Sequence, residues 1–172
     1  MAEKLKQVVA YTDGACIGNP GPGGYGVVLL YGQHRKELSG GFRLTTNNRM
    51  EIMAAIVALQ ALKTECEVTL YTDSRYLADA MSKGWVQRWR SNGWKKTKKG
   101  KALNQDLWQQ LLDLCAKHKV EFKWIQGHSG NPENERCDTL SMQAAMRKGL
   151  LPDVGYKNSN VEQSASSLLS LE

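Results

Sequence analysis

The sequence predicts an α/β domain. Its core is a mixed five-stranded sheet in which strands 1–3 form an antiparallel meander, strands 4 and 5 run parallel to strand 1, and helices cover the faces. Three observations carry this. Apolar, β-branched runs separated by tight turns crowd the first 45 residues. A helix that is apolar almost all round then leads into a fourth strand-like run. A fifth such run follows three further helical segments.

The elements follow in order. Residues 7–13 (Gln-Val-Val-Ala-Tyr-Thr-Asp) form a nearly continuous apolar run, as expected of a strand buried on both faces. Dense turn chemistry at 18–24 breaks it, and Tyr25 to Tyr31 reads as a second strand. Gly32-Gln33 turns the chain into a third strand over Lys36 to Leu44. Residues 49–62 read as a buried helix, and its crossover places the strand Val68 to Thr72 parallel to the first by the right-handed rule. Helical segments are expected at 74–82, 85–91 and 104–117, then a strand at 120–126. After a Gly-His-Ser-Gly loop, Pro132 sits at the favoured first position of a last helix. Beyond Tyr156 the chain becomes polar and serine-rich. The expected division is a catalytic domain over 1–156 and a disordered tail over 157–172.

Composition narrows the function. A chain of 172 residues with 41% apolar and 23% charged residues suits one soluble domain. No apolar run approaches the ~18 residues of a membrane span, and no signal-peptide pattern opens the chain, so a cytoplasmic location is expected. Cys16, Cys66, Cys115 and Cys137 lie far apart and lack zinc or redox spacing, which leaves free thiols. The net charge of +6 is concentrated: Lys83 to Lys101 holds eight basic residues and no acidic one, while the remainder carries 15 basic against 17 acidic. Trp85, Trp89 and Trp94 are interleaved with those bases. Unopposed cations set among aromatics suit a groove that tracks a phosphate backbone.

The carboxylates point to chemistry. Tyr11-Thr12-Asp13 and Tyr71-Thr72-Asp73 repeat one tripeptide at the ends of two strands expected to be parallel neighbours. Two aspartates side by side repel unless a cation lies between them, and a hard metal takes oxygen ligands. Either aspartate alone also fits a plain strand-ending cap. Local sequence favours a structural part for Glu51, which completes a capping box begun at Asn48. Asp138, two turns into the last helix, reads on its own as a solvated surface residue. His128, flanked in a loop by Gly127 and Ser129, is the best placed of the three histidines to carry protons.

Taken together the motifs resemble the bacterial type I ribonuclease H family. They are Tyr-Thr-Asp-Gly-Ala-Cys-x-Gly-Asn-Pro-Gly-Pro-Gly-Gly at 11–24, Thr-Thr-Asn-Asn-Arg-Met-Glu at 45–51 and Tyr-Thr-Asp-Ser at 71–74. The Trp-rich basic segment at 85–101 and Gly-His-Ser-Gly-Asn-Pro-Glu-Asn-Glu-Arg-Cys-Asp at 127–138 complete the set. The resemblance implies a ribonuclease H-like fold and an endonuclease that cuts the RNA strand of RNA–DNA hybrids, leaving 5′-phosphate and 3′-hydroxyl ends. It also implies a monomer, and one site built from Asp13, Glu51, Asp73 and Asp138, so Glu51 and Asp138 become ligands against their local readings. That site would hold two Mg²⁺ (or Mn²⁺) with substrate bound, and His128 would move protons or help release product. Gly14, Cys16, Asn19, Asn47 and Asn48 are implied to line the RNA side of the minor groove. Thr46 and Asn104 match positions that hold a DNA-strand phosphate, while Trp85, Trp89 and the basic handle with Lys95, Lys96, Lys98 and Lys99 would bind the DNA strand. Leu44 stands where related proteins often carry a basic residue, and Arg75 where others can have a neutral polar one. The rival readings are a transposase-like nuclease that cuts DNA duplex and a hybrid-binding module that has lost a carboxylate.

Overall fold

The computed structural model of the chain describes residues 4–97 and 100–156. The first three strands, β1 (Lys6–Cys16), β2 (Gly21–Tyr31) and β3 (His34–Thr45), pair as an antiparallel meander. Helix α1 (Asn47–Gln60) crosses over to β4 (Cys66–Thr72), which pairs parallel to β1. Helices α2 (Arg75–Ser82) and α3 (Trp85–Ser91) follow. A small hairpin of β5 (Lys95–Thr97) and β6 (Gly100–Lys101) comes next, then α4 (Gln105–Cys115). The parallel edge strand β7 (Lys119–Trp124) and helix α5 (Pro132–Ala145) complete the fold. The main sheet has the order β3-β2-β1-β4-β7. Among the described residues no helix is long and apolar enough to cross a membrane.

Both faces of β1 are covered, which is why its sequence shows little alternation. One face carries the main core: Val8 and Ala10 of β1, Val27 and Leu29 of β2, and Val68 and Leu70 of β4 pack under Ile52, Ile56 and Leu59 of α1. Helix α4 closes this side through Leu107, Trp108 and Leu111, which explains how α1 can be apolar all round. The opposite face is thinner, with Val28, Cys137 and Leu140 packed against Tyr11 and Leu30. There α5 lies almost directly on β2. A side chain at Gly24 would strike the Ser141 carbonyl, and one at Gly26 the Cys137 carbonyl, so only glycine permits this approach.

Several boundaries differ from expectation. The glycine-rich run at 21–24 is strand rather than turn: Gly21 leaves room for the carbonyls of Ile17 and Gly18, Gly23 for the Thr45 and Met50 side chains, and Gly24 for the backbone of α5. The helix expected at 49–62 begins two residues earlier: Thr46 is the N-cap, its hydroxyl accepting from the Arg49 N–H at 3.2 Å. Asn48 therefore lies inside the helix, Glu51 falls two residues past the third helical position that a box from Thr46 would use, and the capping box does not form. The β5–β6 hairpin within the basic segment was not anticipated. The four cysteines are free, as expected. The Ser-rich tail at 157–172, and Lys98 and Lys99, lie outside the described residues.

Candidate active site

The parallel register of β1 and β4 pairs Tyr11 with Tyr71 and Thr12 with Thr72, so the two copies of the tripeptide run level. Their tyrosine rings stack at 5.0 Å. One residue further on, Asp13 and Asp73 leave the two strands side by side. Helix α1 supplies the third carboxylate. At Gly14 a Cβ would collide with the backbone N of Glu51, so the absence of a side chain there lets the helix press Glu51 against the end of β1. The Gly14 N–H donates to Asp13 Oδ1 at 2.9 Å. As a result, carboxylate oxygens of Asp13, Glu51 and Asp73 all lie within 4.8 Å of one another. Asp13 and Glu51 are each only 4% exposed.

Asp138 approaches from the other side of the sheet. Gly26 pairs with Asp13 across the β1–β2 ladder, and α5 rests on Gly26 through the Cys137 carbonyl, which brings the next residue, half-buried, to the same strand end. Its charge is felt by both Asp13 and Asp73, although it stands outside the tight three-residue cluster.

The electrostatics are unbalanced. Burial first, and the neighbouring Asp73 second, push the Asp13 carboxyl up to about 8. Glu51 is driven well above the usual carboxylate range by burial, then by Asp13, with which it shares a hydrogen bond. Asp73 is also raised, burial again being the largest cause. Glu51 Oε2 is buried with no hydrogen-bond partner. A buried acceptor left bare among like charges is costly unless a cation reaches it. An all-oxygen donor set with this deficit of positive charge fits a hard divalent ion.

The surroundings of Asp73 add groups that the sequence reading did not single out. Asn134, 3% exposed, presents its side chain to the Asp73 carboxylate and favours its charged form. Its place one turn before Asp138 on α5 was the available signal. The Trp124 indole N–H donates to the Asp73 carbonyl at 3.0 Å, and the Arg75 guanidinium stacks 3.7 Å from the centre of that indole ring. His128 is exposed, with a left-handed backbone (φ 56°), and its charge acts on Asp73.

The remaining candidates fall into two groups. Gly14, Cys16, Asn19, Thr46, Asn47 and Asn48 form a contiguous rim at the ends of β1 and β3 and the start of α1. Cys16 Sγ lies 3.4 Å from the Thr45 carbonyl, and the Asn47 N–H donates to Asn19 Oδ1 at 3.1 Å. Asn104, at the start of α4, takes a left-handed conformation (φ 65°) and makes no cap with its side chain. Trp85 and Trp89 are half-buried against the main core, Trp89 edge-on to Trp108 at 6.3 Å, while Lys83 lies over the Trp85 ring at 5.4 Å. Both tryptophans thus pack as well as face outwards. Trp94 anchors the basic segment from within the core. Lys95 is exposed, and Lys96 belongs to β5 by its backbone.

Known proteins resemble this chain in sequence and fold. The RNase H family model matches residues 5–146. A protein of Syntrophus aciditrophicus named Ribonuclease H is 67% identical over 151 residues, spanning 88% of this chain and 87% of that protein. Among solved structures, LC9-RNase H1, described as a type 1 RNase H with the type 2 active-site motif, superposes with a TM-score of 0.76 at 33% identity, covering 97% of this chain and 86% of that one. LC11-RNase H1, solved in complex with RNA/DNA hybrid, gives a TM-score of 0.61 at 26% identity, covering 80% of this chain and 96% of that one.

Proposed function

The chain belongs to the ribonuclease H family in its bacterial type I form and is an endonuclease for the RNA strand of RNA–DNA hybrids; from that premise we propose how its residues divide the work. The observation that carries the proposal is the meeting of Asp13, Glu51 and Asp73 within 4.8 Å at the end of two parallel strands. These three carboxylates, with Asp138, are the residues that would hold divalent metal, two Mg²⁺ with substrate bound and Mn²⁺ as a substitute. When bound, such ions supply positive charge at the scissile phosphate and an acidified water.

The protein's own contribution is placement. Asp13 and Asp73 are fixed by the strand register, Glu51 by the Gly14 contact, and Asp73 is further held by Asn134 and Trp124. His128, exposed beside Asp73, takes up the proton of the attacking water or passes one to the leaving 3′-oxygen, so that products carry 5′-phosphate and 3′-hydroxyl. The rim of Gly14, Cys16, Asn19, Asn47 and Asn48 faces the 2′-hydroxyls of the RNA strand, the feature that separates RNA from DNA. Thr46 and Asn104 hold a phosphate of the DNA strand. Trp85, Trp89 and the handle with Lys95, Lys96, Lys98 and Lys99 carry that strand onward. We place the catalytic unit in residues 1–156 and read the chain as a cytoplasmic monomer, in keeping with four unpaired thiols.

Matched hybrid, RNA–RNA and DNA–DNA duplexes, each labelled on one strand and incubated with Mg²⁺ or EDTA, test this. Cleavage confined to the RNA of the hybrid, and only with metal, is expected. Cutting of DNA duplex would overturn the substrate assignment, and hybrid bound but uncut would point to a binding module.

A further inference from the structure

Arg49 is 1% exposed, two residues before Glu51 on α1, yet it turns away from the carboxylate cluster. Its Nε donates to Asp153 Oδ2 at 2.7 Å and Nη2 to Asp153 Oδ1 at 3.0 Å. Nη1 and Nη2 donate to the two oxygens of Asp106 at 2.8 and 2.7 Å, and Nη1 also reaches Asn104 Oδ1 at 3.4 Å. All five guanidinium N–H groups are thereby committed, so Arg49 has none left for a substrate. Its backbone N–H meanwhile donates to the Thr46 hydroxyl. One residue thus touches both groups assigned to the DNA-strand phosphate: Thr46 through its main chain, Asn104 through its side chain.

Asn104 is itself unusual. It occupies the N-cap of α4, where an asparagine ordinarily caps the helix with its own oxygen, but this side chain is diverted to Arg49 and, through Nδ2, to the Tyr76 hydroxyl at 3.1 Å. The left-handed backbone and the forgone cap are costs that the Arg49 network sustains. Asp153 completes that network from beyond residue 146, where the match to the family model ends, and also accepts from the Thr45 hydroxyl at 2.7 Å.

We infer that Asp153 and Arg49 are positioning residues for the DNA-strand phosphate, setting Thr46 and Asn104 at a fixed separation, so that the segment after α5 belongs to the substrate-binding apparatus. The inference rests on the reading of Thr46 and Asn104 as that phosphate site. The test is steady-state cleavage of hybrid by Asp153→Asn, Asn104→Ala and the double variant, across a salt series and at a temperature where circular dichroism shows each to be folded. Asp153→Asn should raise KM about tenfold, leave kcat within about twofold, and lower the slope of log KM against log salt by about 0.9, the worth of one phosphate contact. In the Asn104→Ala background it should add less than about twofold, since the contact it supports is already gone. Fully additive effects, or a lowered Tm with unchanged KM, would overturn the inference and leave the network a purely structural one. Should Asn104→Ala alone change neither KM nor slope, the phosphate site fails first. If Asp153→Asn does not fold, Thr45→Val removes one bond to Asp153 and should move KM in the same direction by about two- to threefold; an unchanged KM there counts against the inference.

Discussion

Arg49 and Glu51 stand two residues apart on α1, both buried and both charged in water, and each meets a pair of aspartates. Around Arg49 the pairing is complementary: one guanidinium saturates Asp106 and Asp153. Around Glu51 it is not, since Asp13 and Asp73 add charge of the same sign and Glu51 Oε2 stays bare. The first cluster is complete in charge and holds elements together, with Asp153 buried and Asp106 partly open to solvent. The second is held open by the same helix, and its imbalance is what makes it competent to attract cations. Completed charge stabilises a buried site, whereas a functional site keeps a deficit that the rest of the fold must carry.

The largest effect expected from disturbing this pair is catalytic. Asp13→Asn should lower hybrid cleavage by at least about 10³-fold, about 4 kcal/mol in the barrier, while hybrid binding stays within a few-fold because the basic handle is untouched. Parallel losses of cleavage and binding, measured by single-turnover kinetics and filter binding, would show that the two sites are not separable. On the closed side, Arg49→Met strands two carboxylates near α4 and should cost about 3–5 kcal/mol of stability, lowering Tm by about 10 °C. A loss under about 1 kcal/mol in denaturant titration would mean that water answers Asp153 as readily as the part-exposed Asp106 and that the network is not structural.

Acidity should distinguish the clusters more finely. Asp13 titrates near 8 in the folded, metal-free protein, far above its unfolded value, so folding favours its protonated form. Stability of the metal-free protein should therefore decline as pH rises from about 4 to about 8, by about 1–3 kcal/mol, and Mg²⁺ should abolish that decline. For Asp106 burial acts upwards, but the Arg49 guanidinium wins and holds its carboxyl below the usual range. Its stabilisation is present above about pH 4 and is lost as pH falls through the depressed value, with or without Mg²⁺. Thermal melts across pH, with and without the ion, check both limbs; an alkaline limb insensitive to Mg²⁺ would place its origin outside the carboxylate cluster. The smallest effect belongs to exposed charge. Lys95→Ala should raise KM about twofold and reduce the salt slope by about 0.9 while leaving both limbs where they were.

How much of this was legible in the chain depends on distance along it. The repeated tripeptide announced the β1–β4 register, because parallel strands place equivalent residues level, and the sheet order followed. The Asn48 capping box misled because Thr46, two residues earlier, offers the helix an equally good hydroxyl, and local sequence cannot rank two adjacent caps. Gly21 to Gly24 read as turn since glycine usually is; what Gly24 answers to is the backbone of α5, more than a hundred residues away, while Gly21 and Gly23 answer to nearer neighbours in and just after β1, in β3 and in α1. Asn134 escaped notice because its one signal, a place one turn before Asp138 on α5, gives it a role only when Asp73 is beside it. Arg49 carries no role that local sequence could assign. Its partners Asp106 and Asp153 lie 57 and 104 residues downstream, beyond any local pattern.

The spacing of that last contact bears on how the molecule is made. A chain synthesised from its N-terminus exposes Arg49 long before Asp153 exists, so nascent chains that end between Asp106 and Asp153 contain an arginine that only Asp106 can answer. The five strands of the sheet are all available once Trp124 has been made, but the charge on α1 closes only when Asp153 follows. A ribosome halted even a few codons short of that aspartate would release a product with a nearly complete fold and an arginine side chain, half neutralised, at its centre.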